Sequence, residues 1–258
     1  MNLAVDVGNT ETVLGLMDPD STGVVEHWRL STGISRTADE YRLLIRQLLA
    51  DAGYAPESLG RAVVGSVVPQ VTEVLVPALE GWVDRVYTVS ATDALPIRLD
   101  VDEPLTVGAD RIVNTLAASR LYGRDTVAVD LGTATTFDCI TANGDFIGGV
   151  IAPGIMVGLE WLGTKTAKLP RVELAPPTTV IGRRTEACMQ SGVFHTAIDG
   201  VDGLVRRIKE EWGKPGTFVV GTGGYASVVG PHSATIEMVE PFLTLIGLEM
   251  AGAHLADR

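Results

Sequence analysis

The chain is poor in cysteine. It has two, Cys139 and Cys188, in 258 residues, with no Cys-x-x-Cys pair, and its four histidines (27, 195, 232, 254) are scattered. That pattern argues against a structural zinc site and a disulfide framework. Two free thiols, buried or partly buried, in a reducing compartment are the expectation. Positive charge is also scarce: 20 Lys and Arg stand against 32 Asp and Glu, a net charge of −12. Such a chain repels nucleic acid and anionic membranes, so neither is expected as a partner. An anionic ligand would need local cations or backbone N–H groups. No apolar run reaches membrane-spanning length. The N-terminus lacks the basic segment of a secretory leader and enters a strand at once, so a cytoplasmic location is expected.

What is abundant is apolar surface and glycine. Hydrophobic residues make up 46% and glycines number 29, which together imply a large core and many tight turns or close backbone approaches. Strands are expected over 2–8, 12–18 and 24–31, with turn chemistry in Met17-Asp-Pro-Asp-Ser-Thr-Gly23. A helix should follow, with Thr37 and Glu40 as a capping box, Tyr41, Leu44, Ile45, Leu48 and Leu49 on one face, and Gly53 closing it. Further elements are a strand over 61–68, a helix over 71–82, a strand over 85–90, and a helix that ends at Gly123. Then the order restarts: strands over 125–132, 134–142 and 146–152, and a helix from about Gly154. A strand at the start of 217–227 leads into a glycine turn and a helix, followed by a strand over 234–240 and a final Leu- and Ala-rich helix.

The restart has a sequence counterpart. Residues 4–12 read AVDVGNTET and residues 128–136 read AVDLGTATT, five matches in nine. Each opens a β-β-β-α unit, so duplication is the expectation, with a boundary near 118–124 and domains of 1–120 and 121–258. The spacing is far too long for a solenoid repeat.

The repeated stretch carries usable chemistry. A tight turn after a strand presents successive N–H groups, glycine permits close approach, and a threonine hydroxyl can donate to a phosphate oxygen. Asp6, at its strand end, can serve Mg²⁺ directly or through water. Asp130, Gly132 and Thr133 repeat that equipment. The alternative is a plain hairpin in which Asp and Asn merely suit the turn. In Val107-Gly-Ala-Asp-Arg-Ile-Val-Asn114, Asp110 can accept a proton from a hydroxyl and Arg111 can hold an anion. Equally, Asp110 could be a helix N-cap beside an exposed arginine. Thr185 reads by default as another N-cap. Gly148, Gly149 and Gly154 surround a short apolar strand, marking close approach of a ligand or a bulge. Two further patterns compete. GLEWLGTKT (158–166) resembles a phosphate-binding loop, but Thr164 stands where lysine is required. GTGGYA (221–226), with Glu237 and Glu240 downstream, fits a dinucleotide fingerprint, yet only one strand and one helix remain after it.

Taken in order, DVGNT (6–10), GADR (108–111), DLGTATT (130–136), GGVIAPG (148–154) and TAKLP (166–170) resemble the type III pantothenate kinases over nearly the whole chain. The resemblance implies the fold of the acetate and sugar kinase/Hsc70/actin superfamily: α/β, two duplicated ribonuclease-H-like domains with nucleotide between them. It implies ATP-dependent phosphorylation of pantothenate, the first step to coenzyme A, by a homodimer using Mg²⁺ and a monovalent cation, K⁺ or NH₄⁺. Carried over by residue, it assigns Asp6, Val7, Gly8, Asn9, Thr10, Glu11, Thr12 and Val13 to the ATP phosphates, with Asp6 serving Mg²⁺. Asp110 would be the general base. Gly108, Ala109 and Arg111 would contact pantothenate, Arg111 facing its carboxylate. Asp130 would serve the monovalent cation and Thr133 the ATP. Thr185 would touch the substrate near the dimer interface, and the turn with Gly223 and Gly224 would face adenosine. One position departs from the pattern: Val101 stands where the family usually has a tyrosine of the pantothenate pocket. That departure leaves room for a paralogue acting on another small hydroxyl compound. A non-catalytic relative would be expected to have lost Asp6, Asp110 or Asp130, and all three are present.

Overall fold

The computed structural model describes residues 1–21 and 23–258. The chain forms two compact units. The first comprises Met1–Leu121, Gly144–Phe146 and Phe242–Arg258; the second comprises Tyr122–Asn143 and Ile147–Pro241.

In the first unit, β1 (Asn2–Val7), β2 (Glu11–Met17), β3 (Val24–Ser31), β4 (Arg61–Ser66) and β5 (Val86–Val89) form one sheet of order β3-β2-β1-β4-β5. β1 runs antiparallel to β2 and parallel to β4. It is a central strand buried on both faces, which is why it reads as a nearly unbroken apolar run. One face packs on α1 (Ala38–Asp51) and α2 (Pro69–Leu79), through Leu3, Val5, Tyr41, Ile45, Leu49 and Leu75. The capping box forms as the sequence predicts, with the Glu40 N–H donating to Thr37 and the Thr37 N–H donating to the Glu40 carboxylate at 2.6 Å. The other face packs on α3 (Ala109–Tyr122) and α7 (Leu243–Ala256), through Ala4, Val63, Ile112, Leu116, Leu245 and Leu248. The sequence pattern places this last helix with the second half; it packs instead on β1 and β4 of the first unit. Glycine allows the approach: a Cβ on Gly247 would strike the Val113 carbonyl, and one on Gly252 the Val63 side chain. The buried Glu249 carboxylate of α7 adds a polar anchor, accepting from the Asn2 amide at 2.7 Å and pairing with Arg61.

The second unit repeats the plan. β7 (Thr126–Leu131), β8 (Ala134–Ile140), β9 (Asp145–Pro153), β10 (Phe218–Thr222) and β11 (Met238–Val239) lie in the order β9-β8-β7-β10-β11, the same succession as β3-β2-β1-β4-β5. Its core joins Val127, Val129, Leu131, Phe137 and Val219 to α4 (Ile155–Lys165), the 27-residue α5 (Thr185–Glu211) and the one-turn α6 (Ala226–Val229). The duplication is therefore visible in topology. A two-residue strand, β6 (Arg98–Leu99), precedes α3 and pairs with Asp145 and Phe146, where no strand is expected from the sequence. Conversely, the strand expected over 234–240 shrinks to Met238–Val239. The reason is Asp202. Its carboxylate, 6% exposed on α5, accepts from the Ser233 and Thr235 hydroxyls and from the Ala234 and Thr235 N–H groups at 2.5–3.1 Å. Those backbone donors are consumed by a side chain and are lost to strand pairing.

Burial pushes the Asp202 carboxyl up, but the bonds from Ser233, Ala234 and Thr235 hold its charged form, and the net shift is below the usual aspartate range. A carboxyl depressed on folding adds stability above its unfolded value, near 4, and loses it as pH falls through the lower folded value. Asp202→Ala is expected to cost about 2–3 kcal/mol at pH 7. The difference between wild type and variant, measured by denaturant unfolding, should shrink steadily below about pH 4.

Neither cysteine is in a disulfide; Cys139 is buried, but Cys188, expected buried or partly buried, is exposed. Among the described residues, no helix is long and apolar enough to cross a membrane.

Candidate active site

Each unit carries its repeated hairpin at the same point of its sheet. In the first, Asp6 ends β1 opposite Val13 of β2, and the Gly8–Glu11 turn is closed by the Gly8 N–H donating to the Glu11 carbonyl at 3.0 Å. Asn9 and Thr10 are exposed at the tip, Asp6 and Gly8 partly so. Val7 is buried and its carbonyl accepts from the Val67 N–H. Glu11 pairs with Arg29 at 2.7 Å. Thr12 is 1% exposed and shares a hydrogen bond with Thr32 at 2.9 Å, while Val13 packs against the α3/α7 layer. The open equipment is therefore Asp6 and residues 8–10; the side chains of Thr12 and Val13 serve the fold.

In the second unit the hairpin is one residue tighter. The Gly132 N–H donates to the Ala134 carbonyl at 3.0 Å, and Leu131 faces Thr135, where Val7 faces Thr12. Thr135 is thus the structural counterpart of Thr12, and both are buried. Thr136, which matches Thr12 in the ungapped sequence repeat, instead faces Asp130. Thr133 is exposed at the tip. Gly154 must be glycine, because a Cβ there would lie 2.6 Å from the Gly132 carbonyl and closer still to that of Thr133. The 221–224 turn folds onto the end of β7: the Tyr225 N–H donates to the Leu131 carbonyl at 3.0 Å, and Gly223, at φ +88°, lies so close to Asp130 that a Cβ would strike its carboxylate. Asp130, Gly132, Thr133, Gly154, Gly223 and Gly224 therefore form one neighbourhood. The dinucleotide reading of this turn fails, since α6 has a single turn and β11 two residues. The GLEWLGTKT stretch lies largely inside α4 and is no phosphate loop.

The GADR stretch belongs to the first unit. α3 begins at Ala109, so Asp110 sits within the first turn and is not its cap. Its Oδ1 accepts from the Arg111 N–H at 2.8 Å. Gly108 leaves room for this carboxylate, since a Cβ would lie 2.5 Å from Asp110 Oδ1. Asp110 and Arg111 are both partly exposed, and the Arg111 guanidinium lies over the Phe146 ring at 4.9 Å. The Asp100 N–H donates to the Phe146 carbonyl at 2.8 Å, and Arg98 pairs with Asp145 at 3.0 Å. These contacts pin the segment containing Val101 just before the GADR turn. Sequence reasoning missed Phe146: the glycines beside it drew notice, but a stacking partner for Arg111 has no local signature.

Thr185 is the first residue of α5, whose cap position is Arg184, so the N-cap expectation is not met. Thr185 lines an apolar cavity of about 670 Å³ in the second unit, together with Leu131, Pro153, Gly154, Cys188 and Gly192. Among the described residues, no group of three or more His, Cys, Asp or Glu is arranged to hold a metal ion. A metal would depend on single carboxylates, hydroxyls, backbone and water.

Duplicated ribonuclease-H-like sheets, each with an Asp-x-Gly hairpin at the end of its central strand, give the fold of the actin-like ATPase and sugar kinase class. Solved structures agree on the fold. The activator of 2-hydroxyisocaproyl-CoA dehydratase from Clostridium difficile, with bound ADPNP, is 11% identical, with TM-score 0.53 over 100% of this chain and 97% of that one. Component A of the Acidaminococcus fermentans (R)-2-hydroxyglutaryl-CoA dehydratase is 15% identical, with TM-score 0.54 over 98% and 96%. Sequence similarity is far more specific. The family profile of type III pantothenate kinase matches residues 2–207. The type III pantothenate kinases of Exiguobacterium sibiricum and Moorella thermoacetica are 44% and 43% identical, each over 97% of this chain and 98% of theirs. The chain belongs to the type III pantothenate kinase family.

Proposed function

We propose that the chain transfers a phosphoryl group from ATP to the terminal hydroxyl of pantothenate, forming 4'-phosphopantothenate and ADP, the first step of coenzyme A biosynthesis. The observation that carries this reading is the Asp110–Arg111 pair, a carboxylate inside the first turn of α3 beside a guanidinium stacked on Phe146. Arg111 holds the pantothenate carboxylate, Gly108 and Ala109 let the substrate approach the backbone, and Asp110 orients the hydroxyl and accepts its proton. Phosphoryl transfer asks little more of a protein than positioning and charge neutralisation. Phe146, 1% exposed, holds the Arg111 guanidinium from beneath, so the carboxylate-binding group is kept although Val101 replaces the family's usual tyrosine, which favours pantothenate over another hydroxyl compound. Thr185, the first residue of α5, is a further residue assigned to the substrate.

Asp6 and the 8–10 turn serve the ATP phosphates, joined by the backbone of residues 7 and 11–13; Thr133, Gly223 and Gly224 serve ATP as well. Carboxylates and hydroxyls are hard oxygen donors, which suits Mg²⁺ at Asp6 and K⁺ or NH₄⁺ at Asp130. When bound, these cations neutralise charge on the transferred group. A homodimer is the expected assembly. Its support is the exposure of large apolar side chains on the second unit, among them Ile151, Trp161, Val180 and Ile181 at 57–83%. The domain division of 1–120 and 121–258 is retained as the evolutionary one, and a cytoplasmic location fits the reaction.

An ADP-release assay tests the function. Release should require pantothenate and rise when K⁺ replaces an inert cation. Equal release without pantothenate, or with unrelated hydroxy acids, would overturn the reading.

A further inference from the structure

The two hairpins differ in what flanks their aspartates. Residues directly opposite on neighbouring strands share a face of the sheet, about 4.5–5.5 Å apart. Asp6 stands between Val13 of β2 and Gly65 of β4, neither of which has a side-chain oxygen. Asp130 stands between Thr136 of β8 and Thr222 of β10, and each carries a hydroxyl. The row Thr136–Asp130–Thr222 thus places three oxygen-bearing side chains side by side on one face. Thr222 is fully buried, and its Oγ1 has no hydrogen-bond partner. Leaving a buried hydroxyl unsatisfied costs about 1–3 kcal/mol. A valine of the same shape would avoid that cost at this strand end. The hydroxyl is therefore a candidate for a partner that arrives with a ligand. The Gly223 backbone cradles the neighbouring carboxylate from the following turn.

We infer that Thr222 is a further ligand residue of a monovalent-cation site at Asp130, its hydroxyl oxygen supplying a neutral donor beside the carboxylate. A weakly hydrated monovalent ion is held by several neutral oxygens that replace its water shell. A row of hydroxyl, carboxylate and hydroxyl supplies these, whereas Mg²⁺ keeps most of its own water and needs little beyond one carboxylate, as at Asp6. The inference rests on the reading that Asp130 serves a monovalent cation.

Thermal unfolding of the full chain tests it, with KCl exchanged for choline chloride at constant ionic strength and saturating ADP and Mg²⁺ present. The wild type should gain stability with K⁺, and Asp130→Asn should lose that response. Thr222→Val should need about 10–100-fold more K⁺ for the half-maximal shift, with its ADP midpoint at saturating K⁺ unchanged. Thr222→Ser should restore the wild-type midpoint. Without K⁺ and nucleotide, Thr222→Val should be at least as stable as wild type, because it removes a buried unpaired hydroxyl; Thr222→Ala gives the same K⁺ reading if the valine does not fold. A wild type indifferent to K⁺ would overturn the cation reading itself. A K⁺-responsive wild type with an unchanged midpoint in Thr222→Val, or a variant whose defect lies in the Mg²⁺ or ADP midpoint, would overturn the role of Thr222 alone.

Discussion

Asp110→Asn should reduce turnover by about 10²–10⁴-fold while leaving ATP binding intact. The substitution keeps size and shape, and the amide oxygen can still accept from the Arg111 N–H, as Asp110 Oδ1 does at 2.8 Å. The start of α3 is therefore preserved. What is lost is the capacity to take a proton and a negative charge that orients the hydroxyl. Asp110 lies in the first unit with Asp6, but on a different element, so the turn at 8–11 keeps its own hydrogen bond. Two measurements belong together: kcat for ADP release with saturating pantothenate, and the dissociation constant of ATP by calorimetry. A kcat within threefold of wild type would remove Asp110 from the base role. A large loss of ATP affinity would show instead that the substitution had disturbed nucleotide binding.

Much of this arrangement was legible in the sequence because its signals are local. The nearly unbroken apolar run of β1, the capping box at Thr37 and Glu40, and the paired Asp-x-Gly turns each lie within a few residues. The order of elements around the repeat was enough to expect duplicated units, and the matching strand orders bear that out. What escaped depends on contacts between distant segments. The ungapped repeat equates Thr12 with Thr136, whereas strand register equates Thr12 with Thr135, because the second turn is one residue shorter. Composition cannot reveal a register shift of one residue, yet that shift sends a side chain to the opposite face of the sheet. Likewise, the last helix looked like the closing element of the second half. Its glycines 247 and 252 fit it against Val113 and Val63 of the first, a fit visible only in three dimensions. Asp202 captured backbone donors that a propensity reading assigned to a strand.

Gly223→Ala carries the second large expected effect, and its causes are separable. Gly223 sits at φ +88°, where a side chain is strained by about 1–3 kcal/mol. The added methyl would also meet the Asp130 carboxylate and the Leu131 backbone, whose nearest atoms lie at 2.9 Å. Neither the strand end nor the turn can easily yield, because the Tyr225 N–H is bonded to the Leu131 carbonyl and β10 is paired in register with β7. Overpacking of this kind costs a further 1–3 kcal/mol or so. The total expected loss is about 2–6 kcal/mol, read as a fall in the unfolding midpoint. Because the clash falls on Asp130 itself, activity should fall further than the folded fraction does, and ATP affinity should weaken in the protein that remains folded. Gly224→Ala provides the contrast: Gly224 is exposed and Gly223, not Gly224, carries the positive φ, so its stability should change by less than about 1 kcal/mol. If Gly223→Ala bound ATP and turned over like wild type, the glycine turn would not belong to the nucleotide site, and Asp130 would not depend on it for its position.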